Sequence, residues 1–179
     1  NSMGMIVHTA MKMLTKGSGY WTIAGRSKPM DYQSVMLQVD RIIALNLGNE
    51  EKLALVAHVL WQEIPHYNWV GFYSADEALR ELSLGPFSGE PTEHVTIPFG
   101  KGICGQAAER KKAFIVQDVS KELNYLSCSL KVRSEIVVPV FREGRVVGEI
   151  DIDSHELHPF TETDEDFLTL LASKVEPYM

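Results

Sequence analysis

Between Tyr32 and Leu47 the apolar residues Val35, Leu37, Val39, Ile42, Ile43 and Leu45 recur at nearly helical spacing, and Gly48 closes the run. The pattern predicts a first amphipathic helix. Asn49 then offers an N-cap with Glu50 and Glu51 behind it, and Leu53, Val56, Ala57, Leu60 and Ile64 carry a second helix to Pro65. The short joint makes the two antiparallel neighbours. Beyond Pro65 the period shortens to two: "NWVGFYS" and "ELSLGPF", separated by "ADEALR", and then "EHVTIPF" read as a meander of antiparallel strands. Strands return at "AFIVQD", "SEIVVPV" and "RVVGEIDID", and a last helix begins near Thr161 or Thr163, with Asp164 to Asp166 in its first turn. The order of helices, strands and a closing helix predicts an α+β fold, helices layered on an antiparallel sheet, and not the alternation of a doubly wound fold.

At 179 residues the chain suits one domain, with no repeat or linker to divide it. Residues 31–179 form that expected domain, and residues 1–30 read as an arm with turn signals at "KGSGY" and "GRSKP". Asn1 and Ser2 ahead of Met3 read as a cloning remnant. The net charge of -7, with scattered basic residues, makes nucleic acid and anionic membrane poor partners and a small cationic group a better one. No apolar run reaches a spanning length and no leader pattern opens the chain, so a soluble, cytoplasmic protein is expected. Its two cysteines do not make a disulfide framework; they are inert core thiols or working ones.

"IPFGKGICGQAAERKKAFIVQD" carries Gly100, Gly102 and Gly105 in the spacing of a dinucleotide cradle, with Asp118 downstream. The context fails. Only "QAAERKK" separates the loop from the next strand, and crossover helices are missing, so the glycines are expected to make a sharp strand-to-helix turn that carries Cys104. At a helix N-terminus a thiol has its pKa lowered, or a carboxylate is held.

In "GEIDIDS" the strand period puts Glu149, Asp151 and Asp153 on one face and Ile150 and Ile152 on the other. Three acids facing water would be unremarked. A three-residue loop at Arg142, Glu143 and Gly144 would pair Phe141 with Arg145, Pro139 with Val147 and Glu135 with Asp151; a two-residue turn would set Glu135 opposite Ile152, on the apolar face. The three-residue loop is the better expectation, with a bulge at Pro139 as the feature that would change it. Acids facing each other call for a cation, a shared proton or a functional role.

Cys128 lies in the polar loop "NYLSCSLKVRSE" that runs into the strand of Glu135. Either cysteine alone reads as a small buried hydrophobe; two in loops flanking one acidic face suit sulfoxide reduction. A thiolate attacks the sulfoxide sulfur, an acid protonates the oxygen, and a second thiol resolves the sulfenic acid to a disulfide. Trp69 and Tyr73 share a strand face and would box a methyl or thioether group, or else simply pack in the core.

Taken together and in this order, "NWVGFY", "LGPFSGEP", "IPFGKGICGQAA", "SEIVVPV" and "GEIDIDS" closely resemble the free methionine-R-sulfoxide reductases, enzymes built on a GAF domain, from about Asp31 to the end of the chain. The resemblance implies a GAF-like fold with a six-stranded antiparallel sheet and helices packed on it, a homodimer, no cofactor or metal, and reduction of the R epimer of free methionine sulfoxide with thioredoxin or a small thiol as reductant. It implies Cys128 as the attacking thiol, Glu135, Asp151 and Asp153 as the acids that orient substrate and assist protonation, Trp69 and Tyr73 as the aromatic wall, and Cys104 as the resolving candidate. Many members carry a further cysteine ten residues ahead of the glycine-loop cysteine; here that position is His94. The competing reading is a GAF sensor module that binds a small amino compound or nucleotide without chemistry.

Overall fold

The computed structural model describes residues 31–126 and 130–179. Helices α1 (Tyr32–Ile43) and α2 (Asn49–Glu63) precede the strands β1 (Trp69–Asp76), β2 (Glu81–Ser88) and β3 (Thr96–Pro98). Helix α3 (Gly102–Arg110), strand β4 (Phe114–Val116), a 3-10 turn (Val119–Lys121), strands β5 (Ser134–Arg142) and β6 (Arg145–Ser154) and helix α4 (Glu162–Val175) follow. The six strands form one sheet in the order β3-β2-β1-β6-β5-β4, antiparallel at every junction. The α+β reading holds, and the six-stranded antiparallel sheet with helices packed on it is the architecture that the resemblance implied.

Local chemistry explains the helix ends. Asp31 caps α1 by accepting from the Ser34 N–H at 3.1 Å, and α2 starts one residue earlier than expected because Gly48 is the cap, its N–H held by Glu51 at 2.9 Å. The first helix stops at Ile43 and not Leu47. Its free Ile43 carbonyl accepts from the Lys52 ammonium at 2.9 Å, a partner from α2 that the local pattern does not reveal. Leu37 falls off the buried stripe and is 53 % exposed, whereas Val35, Val39 and Ile42 are buried.

Period-two alternation divides the sheet between two cores. Val70, Phe72, Ile136, Val138, Val140, Ile150 and Ile152 pack beneath α1, α2 and α4. On the other face Trp69, Tyr73, Leu82, Val137 and Val132 pack against Ile103, Cys104, Ala107 and Ala108 of α3. The molecule therefore has three layers, and α3 with its flanking loops is the thin third one.

Asp164 anchors α4 to the rest. Buried at the helix start, it accepts from Tyr32 at 2.5 Å, Tyr67 at 3.0 Å, His66 at 2.8 Å and the Thr161 N–H and hydroxyl at 2.8 Å each. Burial works to raise its pKa, but the donors from His66, Tyr32 and Thr161 outweigh it and hold the carboxyl well below the usual range. A depressed folded-state pKa adds stability above the ordinary Asp value, and that stability is lost as pH falls through the folded value. Asp164→Ala, which orphans the buried Tyr67 hydroxyl, is expected to cost about 3 kcal/mol near neutral pH by urea unfolding, and the deficit shrinks in acid. A loss under about 0.5 kcal/mol would show the network to be incidental.

Candidate active site

Four acids meet on the α3 side of the sheet. β6 presents Glu149, Asp151 and Asp153; β1 sets Tyr73, Gly71 and Trp69 opposite them in that order; β5 sets Pro139, Val137 and Glu135 on the other side. Glu135 thus faces Asp153 and not Asp151, which corrects the expected pairing. The connection is a two-residue turn with Glu143 and Gly144 at φ 52° and 76°, so Arg142 pairs with Arg145 and Phe141 with Val146. Taken alone, that turn would have put Glu135 on the apolar face. Between Phe141↔Val146 and Val140↔Gly148 the register shifts by one residue at Val147, and this bulge restores the phase.

The acids are buried, which excludes a solvated strand face: Glu135 is 3 % exposed, Glu149 0 %, Asp151 1 % and Asp153 1 %. Both oxygens of Glu149, both of Asp151 and Oδ1 of Asp153 have no hydrogen-bond partner among the described residues. Nor does any lysine or arginine described here form an ion pair with the four. Burial first and mutual repulsion second push their pKa values up. Glu135 is raised by burial and by Asp151 and Asp153, Glu149 and Asp153 by burial and by Asp151, and Asp151 by burial to about 7. Such a set holds protons at neutral pH or takes a cation.

Cys104 is the group that α3 lowers onto the acids. Its Sγ lies 3.6 Å from Glu135 Oε1, the thiol donating to the carboxylate. The glycine loop makes this possible: Gly102 takes φ +64°, and a Cβ on Gly105 would overlap the Pro98 carbonyl. The helix begins at Gly102, so Cys104 sits inside its first turn. Helix-end position alone would lower the thiol pKa. The reverse is found, because burial, followed by the charges of Asp151, Glu149 and Glu135, raises it well above the ordinary value. Asp118 serves no ribose; it caps the 3-10 turn through Ser120 at 3.1 Å and pairs with Lys121 at 3.0 Å.

Trp69 and Tyr73 form a wall beside the acids, ring centroids 6.5 Å apart, and Trp69 stacks on Phe87 at 5.5 Å. Gly71 lies between them, and a Cβ there would enter the Trp69 ring, so the indole folds flat over the strand. The Trp69 Nε1–H donates to the Glu90 carbonyl at 3.0 Å and the Tyr73 hydroxyl to the His94 carbonyl at 3.1 Å. His94 therefore touches the wall through its backbone. Five of the expected residues, Trp69, Tyr73, Glu135, Asp151 and Asp153, with Cys104 as the sixth, come together. Glu149 belongs with them: the strand period had already put it on this face, and its charge is one of those that raise the Cys104 thiol pKa. Cys128 lies outside the described residues, as does the arm 1–30. The chain on either side of Cys128 reaches the site, with Leu126 against Gly102 and Val132 in the core around Cys104.

Comparison with known proteins places the chain in a family. The model of the GAF domain matches residues 50–177. The free methionine-R-sulfoxide reductase of Saccharomyces cerevisiae is 38% identical over 132 residues, covering 73% of this chain and 72% of that protein. Protein YtsP of Bacillus subtilis is 37% identical over 149 residues, covering 83% of this chain and 91% of its own length. The crystal structure of the free methionine-R-sulfoxide reductase from Neisseria meningitidis in complex with its substrate superposes with a TM-score of 0.79 at 37% identity, covering 90% of this chain and 95% of that one.

Proposed function

Since the chain belongs to the GAF domain family, in the company of free methionine-R-sulfoxide reductases, we propose that it reduces free methionine-R-sulfoxide to methionine. The observation that carries the reading is the buried cluster of Glu135, Glu149, Asp151 and Asp153, five of its oxygens unsatisfied, set against the wall of Trp69 and Tyr73 and the Cys104 thiol. Ionised acids of the cluster accept the substrate's ammonium group, which methionine sulfoxide within a polypeptide lacks. The aromatic wall takes the methyl and thioether end. An acid that keeps its proton at neutral pH protonates the sulfoxide oxygen.

In this scheme the Cys128 thiolate attacks the sulfoxide sulfur, the S–O bond breaks with transfer of oxygen, and methionine leaves as Cys128 becomes a sulfenic acid. Cys104 then attacks the Cys128 sulfur, a proton joins the departing hydroxyl, water leaves, and a disulfide remains for an external dithiol such as thioredoxin to reduce. Substrate sulfur gains two electrons and the two thiols lose them.

The test is methionine formation from free methionine sulfoxide, with its sulfur epimers resolved, in excess dithiothreitol. Consumption of the R epimer alone is expected, falling by about a thousandfold or more in Cys128→Ser. Binding of the sulfoxide without turnover in the unmodified protein would make it a sensor module instead.

A further inference from the structure

Cys104, Glu135 and Asp151 bring a thiol and two carboxyl groups together in the interior, one ligand atom of each lying within 4.8 Å of the others. Acids alone would not define a site. Here both oxygens of Asp151, 1 % exposed, also have no hydrogen-bond partner among the described residues, so a buried ligand group within the cluster is left unsatisfied.

From this geometry we propose that the reduced protein binds one zinc-like divalent ion between Cys104, Glu135 and Asp151, with a water as the fourth ligand. Distances support it. With metal–sulfur near 2.3 Å and metal–oxygen near 2.0 Å, the sulfur-to-oxygen edge of a tetrahedron is about 3.5 Å. The Cys104 Sγ to Glu135 Oε1 separation is 3.6 Å, so these two donors need almost no movement. A thiolate donor disfavours magnesium and calcium, while a borderline ion such as zinc accepts mixed sulfur and oxygen ligands. Binding releases the thiol proton and replaces repulsion among buried carboxylates by attraction to one dication.

The ion would occupy the groups that the proposed reaction uses, so zinc should inhibit turnover; this consequence rests on that function, while binding itself does not. The experiment is titration of the reduced, full-length protein with cobalt(II) under anaerobic conditions, then back-titration with zinc. A thiolate-to-cobalt charge-transfer band saturating at a single equivalent, with intense visible bands of tetrahedral cobalt, is expected. The charge-transfer band should persist in Cys128→Ser and vanish in Cys104→Ser, and Asp151→Asn should weaken cobalt affinity by about tenfold or more. A band that survives Cys104→Ser, disappears in Cys128→Ser, or never forms overturns the proposal. Turnover measured on metal-free protein is independent: turnover without the band sinks the metal site alone, and the band without turnover sinks the enzyme reading alone.

Discussion

Asp151→Asn is expected to stabilise the substrate-free protein at alkaline pH while lowering kcat/KM for free methionine-R-sulfoxide by about a hundredfold or more. Asp151 is the middle acid of the β6 row, 1 % exposed, its oxygens unpartnered, with Asp153 and Glu149 two residues away on the same face. Its folded-state pKa of about 7 lies above the ordinary 3.8. A carboxyl raised in this way leaves the folded state holding more protons than the unfolded chain, so stability is full below the ordinary carboxylate range and is lost as pH rises through about 7. Glu135, Glu149 and Asp153, raised in the same direction by burial and repulsion, act with the same sign.

Removing the Asp151 charge takes away a repulsion shared by Glu135, Glu149 and Asp153. Asn in place of Asp151 should raise the melting temperature at roughly pH 8 by about 5 °C, and the gain should vanish near pH 4, where Asp151 keeps its proton in the fold. Together with Asp164, whose stabilisation is lost in acid, this puts the stability optimum of the substrate-free protein at mildly acidic pH. Thermal melts across pH 3 to 9 on both proteins decide it: a variant less stable than its parent at high pH would mean that the acids are compensated and the cluster is not held in readiness for a cation.

Cys104→Ser carries the second large effect. It should leave a single turnover intact, one methionine per protein, and then stop, with multiple-turnover rates in thioredoxin falling by about a hundredfold or more. The chain has two cysteines, so no third thiol can take over from within. In the proposed scheme Cys104 waits as a thiol, because burial and the surrounding carboxylates raise its pKa, and Glu135 at 3.6 Å is the acceptor for its proton as it attacks. The sulfenic acid should then persist on Cys128, to be trapped by dimedone and located by mass spectrometry. Steady turnover of Cys104→Ser at the parental rate would show that the external thiol resolves Cys128 directly and that Cys104 serves the acids only as a neighbour.

Much of this molecule is legible in its linear pattern. The period of two along "GEIDIDS" put Glu149, Asp151 and Asp153 on one face and the isoleucines on the other, and the absence of crossover helices excluded a nucleotide cradle despite Gly100, Gly102 and Gly105. These are consequences of strand geometry, which acts between near neighbours and so is written in any short segment. The pairing of Glu135 was not written there: both the two-residue turn and the three-residue loop fit "FREGRV", and only the bulge at Val147, selected because the alternative buries a carboxylate among Ile136 and Ile152's core partners, sets it opposite Asp153. The protonation of Cys104 also escaped local reasoning. Helix position predicts a low thiol pKa from a few residues of backbone, but the actual value depends on burial beneath α3 and on carboxyl groups brought from β5 and β6, about 30 to 50 residues further along the chain. Alternation and caps are local and survive in sequence; desolvation and charge repulsion depend on which distant groups share a volume, and that was decided only when α3 closed over the sheet.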